Sequence, residues 1–238
     1  MPTLIVLTGP TASGKTAAAL QVAEHFHAPI LNADSRQIYR DIPIGTAAPT
    51  AEEQARVPHY FVGTLALDDY YSAARYEAEV MELLPRLFAE RDVVVMSGGS
   101  MMYIDAVCNG LDRMPEADPV LRAELWARFH ESGVDPLAEQ LKGLDPLTYS
   151  QIDIRNPQRV IRALEGCLVS GRPFSSFKSG SGKKRDFVIE KIGLNRSREE
   201  LYSRIDARVL SMMEAGLVDE VRSLLPYRDC QALQTVGY

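Results

Sequence analysis

The sequence predicts a parallel α/β sheet flanked by helices and interrupted by a small helical insert. Three observations carry this prediction. Short apolar runs rich in β-branched residues, Leu4-Ile5-Val6-Leu7 and Val93-Val94-Val95-Met96, read as strands buried on both faces. Helical patterns alternate with them, as a wound sheet requires. From about residue 112 the strand signals stop and helices dominate until Phe187.

In chain order, Leu4–Leu7 is the first strand, and a helical pattern follows from Gly14 to Phe26, with Leu20, Ala23 and His27 at helical spacing. Pro29-Ile30-Leu31 reads as a second short strand. Ser72 to Ala89 reads as an amphipathic helix. Asp92 to Met96 is a third strand, closed by Ser97-Gly98-Gly99, and Ser100 opens a helix to Cys108. Pro115 and Pro119 mark a loop. Helices are then expected over 119–131, 136–142 and 157–169, the last with Val160, Ile161, Leu164, Cys167 and Leu168 on one apolar face and Gly171-Arg172-Pro173 as its stop. Ser179 to Arg185 is expected to be mobile. Phe187 to Leu194 returns to strand character, and Ser197-x-x-Glu200 is a capping box opening a helix to Ala215, ended by Gly216. The expected division is a core of 1–111 and 186–238 around an insert of 112–185. The pattern breaks off at Gln234-Thr235-Val236-Gly237-Tyr238 without a finished edge, so the core is expected to be cut short there.

The chain has 238 residues, 46% hydrophobic and 24% charged, which excludes disordered, collagenous and coiled-coil classes. Cys108, Cys167 and Cys230 are scattered, so no disulfide framework or zinc site is expected. No apolar stretch approaches the roughly 20 residues that cross a bilayer, and Met1-Pro2-Thr3 opens no secretory signal. The expectation is a cytoplasmic monomer independent of membranes. The net charge of −6 speaks mildly against a nucleic-acid partner, but it is unevenly spread. Residues 1–110 hold 7 basic and 13 acidic side chains, whereas 155–208 hold 13 basic and 6 acidic. A polyanion responds to the local surplus. A solvated basic face is the plainer explanation from charge alone.

Gly9-Pro10-Thr11-Ala12-Ser13-Gly14-Lys15-Thr16 matches G-x-x-x-x-G-K-[ST] between a strand and a helix. Glycines let backbone N–H groups turn in around phosphate oxygens, Lys15 adds a point charge, and Thr16 offers a hydroxyl to Mg²⁺. The helix dipole favours the same anion. This predicts the nucleotide-binding, ATP-binding class of loop and so a P-loop NTPase-like sheet, but not a reaction. The usual acid at the end of the neighbouring strand is missing, because Val93–Met96 runs into Ser97-Gly98-Gly99-Ser100. An acid follows the second strand instead, at Asp34. It is open at this point to three roles: general base, outer partner of a metal, or helix N-cap.

Further motifs accompany the loop: Asp34-Ser35-Arg36-Gln37-Ile38-Tyr39, Gly45-Thr46-Ala47, Pro58-His59, Tyr71-Ser72-Ala73, Gly98-Gly99-Ser100-Met101-Met102-Tyr103, Gly110-Leu111 and Asn156-Pro157-Gln158-Arg159-Val160-Ile161-Arg162-Ala163-Leu164-Glu165. In this order they resemble bacterial tRNA dimethylallyltransferases, also called tRNA isopentenyltransferases or the IPP transferase family, over essentially the whole chain. The resemblance implies transfer of a dimethylallyl group from dimethylallyl diphosphate to the exocyclic amine of the adenosine 3′ to the anticodon, with Mg²⁺ assisting departure of diphosphate. It implies Asp34 as general base, Arg208 as the arginine steadying the diphosphate, and Ser100 in place of a threonine that contacts the target nucleotide. Arg204 and Arg208 are four apart, on one helix face. The RNA-contacting segments it implies are Asp34, Ser35, Arg36 and Gln37, then Gln158, Arg159, Val160, Ile161 and Arg162, with Ser100 and Arg122, so that the insert grips the tRNA anticodon stem-loop. Arg155, Arg159 and Arg162 are expected to project together from the insert helix, away from its apolar face. Members of the family continue beyond Val236-Gly237-Tyr238. Three other readings stay open: a cytokinin-type adenylate prenyltransferase, a small-molecule or nucleoside kinase resting on the phosphate loop alone, and an RNA-binding module without catalysis resting on the basic segment. His59 has no role readable from the sequence.

Overall fold

A computed structural model describes residues 1–112, 114–116, 118–178 and 182–234. Met1–Leu111 with Lys183–Tyr238 form one compact unit, and Asp112–Gly182 a second. The larger unit is built on a five-stranded, wholly parallel sheet in the order β3-β2-β4-β1-β5. Its strands are β1 (Thr3–Thr8), β2 (Ile30–Asn32), β3 (His59–Tyr60), β4 (Val93–Ser97) and β5 (Val188–Gly193). The helices between them are α1 (Lys15–Phe26), α2 (Ala51–Arg56), α3 (Ala73–Glu90) and α4 (Met101–Asn109). Leu4, Val6, Val94 and Met96 pack against α3 and α4 on one face, while Ile5, Leu7 and Val95 meet Leu20 and Ala23 of α1 on the other. Cover on both faces is why β1 and β4 are continuous apolar runs.

The alternating strands and helices predicted from the sequence are present. His27 is a correction: it caps α1 in the left-handed region (φ 49°), exposed, and is not part of the apolar face. Several elements were not foreseen, among them β3, α2 and the helices over Pro146–Gln151 and Leu217–Ser223. The two residues of β3 carry too little pattern to register. The helix α2 does carry a signal, because Thr50 and Glu53 form a reciprocal capping box.

The smaller unit holds α5 (Pro119–Ser132), α6 (Asp135–Leu144), α7 (Pro146–Gln151) and α8 (Pro157–Ser170). Leu125, Leu137, Leu141, Val160, Ile161 and Leu164 form its core. Asn156 caps α8 through the Arg159 N–H, Pro157 occupies its first turn, and Gly171 ends it at φ +65°. Beyond the insert, the larger unit continues with α9 (Arg198–Glu214), α10 (Leu217–Ser223) and the short α11 (Gln231–Gln234).

The expectation of a mobile basic stretch over Ser179–Arg185 is corrected where it can be followed; Ser179, Gly180 and Ser181 lie outside the described residues. Lys183 N–H donates to Asn109 O (2.6 Å), so the chain rejoins the core at Lys183 and not at 186. Glu77 of α3 accepts from Lys183 Nζ (3.0 Å), Arg185 (2.8 Å) and the Leu111 N–H (3.0 Å). One carboxylate thus fastens both connections that lead to the smaller unit. Burial alone would raise the Glu77 pKa, but the hydrogen bonds from Arg185, Lys183 and Leu111 outweigh it and hold the carboxyl below the ordinary 4.5. A depressed carboxylate contributes stability above its unfolded pKa and loses it as the pH falls through the lowered folded value. Thermal unfolding followed from pH 7 to 3 is therefore expected to show a midpoint that drops below about pH 4.5. Glu77→Gln is expected to lower the midpoint at neutral pH and to flatten part of that drop. An acid limb of unchanged steepness in the variant would mean that Glu77 gives folding no pH-dependent support.

Candidate active site

Three loops leave the carboxyl ends of β1, β2 and β4, where ligands of parallel sheets sit. They border a cleft of about 610 Å³ whose lining includes Lys15, Thr16, Asp34, Gln37, Gly99 and Arg208.

The first loop is Gly9–Thr16. Gly9 (φ +156°) is required because a Cβ there would lie 2.5 Å from Leu194 O, and Gly14 (φ +99°) turns the chain into α1. Ala12 is left-handed at φ 63°. Lys15 Nζ bends back to donate to Gly9 O (2.8 Å) and Pro10 O (2.9 Å), closing the loop from inside. Burial lowers the Lys15 pKa, with Asp34 opposing and Arg208 adding to the fall. The three groups therefore share one electrostatic neighbourhood. Thr16 is exposed in the first turn of α1. Ser13 Oγ is buried without a partner among the described residues.

The second loop carries Asp34 to Gln37. Asp34 Oδ1 accepts from the N–H of Arg36 (2.9 Å) and, more weakly, of Gln37 (3.4 Å). This is the side-chain turn that acids favour, and no helix follows it. Oδ2 makes no hydrogen bond among the described residues, and a Cβ on Gly99 would come within 3.3 Å of it. The missing side chain at Gly99 leaves that oxygen accessible. Gln37 Nε2 donates to Thr46 O and Ala47 O, both 3.0 Å, tying the turn to the Gly45-Thr46-Ala47 motif. Arg36 reaches Ala232 O (3.4 Å).

The third loop follows β4. Gly98 packs its Cα onto the Ala33 backbone, and Ser100 N–H donates to Ala33 O (3.0 Å). Ser100 does not cap α4 with its side chain. Its Oγ instead accepts from Ser35 N–H (2.8 Å) and donates to Ser35 Oγ (2.9 Å). The second and third loops are thus welded beside Asp34. His59 borders the same cleft and donates from Nδ1 to Val57 O (2.7 Å).

The helix α9 closes the cleft with arginines. Arg208 donates to Thr46 O (3.4 Å), and Arg204 Nε donates to Ala12 O (2.7 Å). Burial lowers the Arg208 pKa while Asp34 opposes the fall, and an arginine remains charged regardless. Two partners escaped sequence reasoning. Arg196 Nε donates to Ser13 O (2.7 Å), and Glu220 of α10 accepts from Ile44 N–H (2.8 Å) and Gly45 N–H (2.9 Å). Only a three-dimensional structure links such distant pairs.

In the smaller unit, Gln158 and Arg159 are exposed on α8, as is Arg155 just before it. The other residues of the implied RNA-contacting set in this unit are engaged within it. Val160 and Ile161 are core residues, so their side chains are not available to RNA. Arg162 does not project with Arg155 and Arg159. It bonds Glu165 (3.1 Å) and Pro115 O (3.1 Å), while Arg122 bonds Glu165 (2.8 Å). Glu165 is fully buried and also accepts from Asp118 N–H. A buried carboxylate needs such partners. Part of the basic surplus is therefore spent internally, on Glu77, Glu165 and the phosphate loop.

A family model described as IPP transferase matches residues 37–238. The chain is 55% identical over 238 residues to tRNA dimethylallyltransferase 1 of Bacteroides thetaiotaomicron, spanning 100% of this chain and 77% of that one. It is 57% identical over 236 residues to tRNA dimethylallyltransferase 2 of Porphyromonas gingivalis, spanning 99% and 79%. Among solved structures, the full-length tRNA isopentenylpyrophosphate transferase of Bacillus halodurans matches with a TM-score of 0.65 at 33% identity, covering 98% of this chain and 74% of that one. A eukaryotic dimethylallyltransferase acting on tRNA matches with a TM-score of 0.81 at 25% identity, covering 96% and 57%. The sheet with its phosphate loop after β1 is the P-loop NTPase-like fold, and the chain belongs to the IPP transferase family.

Proposed function

We propose that the chain transfers the dimethylallyl group of dimethylallyl diphosphate to the exocyclic amine of the adenosine 3′ to the anticodon in tRNA, releasing diphosphate. The observation that carries this reading is the meeting of Lys15, Arg208 and Asp34 in one cleft. The cations and loop amides receive the negative charge that grows on the leaving oxygens as the allylic C–O bond breaks. The amine nitrogen forms the new C–N bond, and its proton passes to an oxygen of Asp34, whose accessible atom is Oδ2. A base acted on in this way leaves its stack in the anticodon loop. The missing acid at the end of β4 argues against phosphoryl transfer from ATP.

Mg²⁺ fits this donor set. Thr16 offers one exposed hydroxyl at the cleft, and the described residues hold no group of three His, Cys, Asp or Glu side chains. That suits a hard cation held by substrate oxygens and water. When bound, it supplies charge neutralisation for the diphosphate. Among the described residues no helix is long and apolar enough to cross a membrane. The reaction belongs where tRNA is, in the cytoplasm, and a single chain carries every residue assigned to it.

Offering labelled dimethylallyl diphosphate with bulk tRNA, with AMP, or ATP with nucleosides, tests the reading. Label is expected in tRNA; label in AMP alone, or phosphate moved from ATP, would overturn it. For RNA binding, Arg155 just before α8 and Arg159 within it are exposed cations. Changing both to Glu is expected to weaken tRNA binding and to make the slope of log K against log salt shallower by about 2. An unchanged slope would remove them from the RNA interface.

A further inference from the structure

We propose that Arg196 and Arg204 are positioning residues for the diphosphate subsite, acting through the backbone of the phosphate loop. Lys15 ties down the carbonyls of Gly9 and Pro10 from within, and the two arginines take the next carbonyls in use from without. Arg204 holds Ala12 O and Arg196 holds Ser13 O, each at 2.7 Å from Nε. A peptide unit is planar, with its C=O and N–H pointing in opposite directions. Drawing the Ser13 carbonyl toward α9 therefore aims the Gly14 N–H the other way, as a donor for an anion. The Ser13 N–H, on the peptide that Arg204 holds, is spent inside the loop on Pro10 O (3.2 Å), so Arg204 fixes the turn and Arg196 aims the donor.

The need for such a clamp is visible in the loop itself. Ala12 sits at φ 63°, where an L-residue is strained, and Gly14 at φ +99° is free to relax. Without outside anchors these peptides would flip at little cost. The NH2 groups of Arg196 and Arg204 lie 3.4 and 3.9 Å from where a Gly14 Cβ would be, so both guanidinium groups rest on the same turn. Arg196 is itself braced by Glu200, one helical turn further on. The inference rests on reading the cleft as a diphosphate site, and adds that Arg196 and Arg204 set the shape of that site before any ligand arrives.

The test uses the full chain, without ligand and then with inorganic diphosphate. In the free protein, amide hydrogen exchange of peptides spanning residues 9–16 is expected to speed up in Arg196→Ala and in Arg204→Ala. A direct contact between arginine and anion would leave the exchange of the free loop unchanged, and that result overturns the inference. Titration with inorganic diphosphate is expected to show affinity about tenfold weaker in Arg196→Ala, with KM for tRNA unchanged. Arg196→Lys, which can still reach one carbonyl, is expected to recover most of the loss. Glu200→Gln removes the brace but leaves the Arg196 bond to Ser13 O within reach, and is expected to lose part of the diphosphate affinity, less than Arg196→Ala does. Faster exchange with undiminished diphosphate affinity in Arg196→Ala, or a loss in Glu200→Gln equal to that in Arg196→Ala, would also overturn the inference. A wild-type chain that binds no diphosphate would instead overturn the functional reading on which it rests.

Discussion

Replacing Asp34 by Asn is expected to cut the rate of dimethylallyl transfer at saturating substrates by at least about a hundredfold, while tRNA affinity stays within about threefold. A positioned general base is worth roughly 10²–10⁴ in rate. Asparagine is the sharper substitution because Asp34 has two duties. Its Oδ1 holds the turn through the Arg36 and Gln37 amides, a task an amide oxygen performs as well. Its Oδ2 opens toward Gly99 and is the oxygen available to take a proton; the amide nitrogen that replaces it cannot. Alanine would lose both duties and would confound a collapsed turn with lost basicity. Single-turnover transfer to tRNA, with binding measured separately, distinguishes the two. A variant that keeps more than about a tenth of the wild-type rate would leave the turn as the only role of Asp34.

What the sequence disclosed follows from the range of the interactions involved. Strands β1 and β4 were legible because burial on both faces writes an apolar run. The phosphate loop and the cap at Ser197 were legible because each is a contact over a few residues. Long-range pairing left no such trace. Glu77 with Arg185 and Glu220 with Gly45 join residues more than a hundred positions apart, and no spacing rule reaches them. The arginines show this most clearly. A count of basic residues treats Arg159 and Arg162 alike, yet one is exposed and the other is bound to a buried glutamate. Val160 and Ile161 carry the same lesson: a motif can mark a segment as functional while half of its side chains serve the core.

The close approach at Gly98 sets the second large effect. A Cβ on Gly98 would lie 2.2 Å from both the carbonyl carbon and oxygen of Ala33, atoms of backbone that cannot swing aside. Gly98→Ala must therefore pry apart the ends of β2 and β4, where Ala33 N–H bonds Ser97 O and Ser100 N–H bonds Ala33 O. Overpacking that forces a backbone shift in a core costs up to about 3 kcal/mol or more. In a domain of this size that lowers the thermal midpoint by about 10 °C. The same shift moves Asp34 away from Ser100, so transfer activity is expected to fall even well below the midpoint. Gly99→Ala is the informative contrast. Its Cβ would meet only Asp34 Oδ2, at 3.3 Å, so the midpoint is expected to stay within about 2 °C while the rate falls as the base is shielded. Calorimetry and transfer assays on the pair separate the two glycines. A Gly98→Ala protein as stable as wild type would show that the strand ends are not held this close, and with them the placement of Asp34 beside Ser100 would fail.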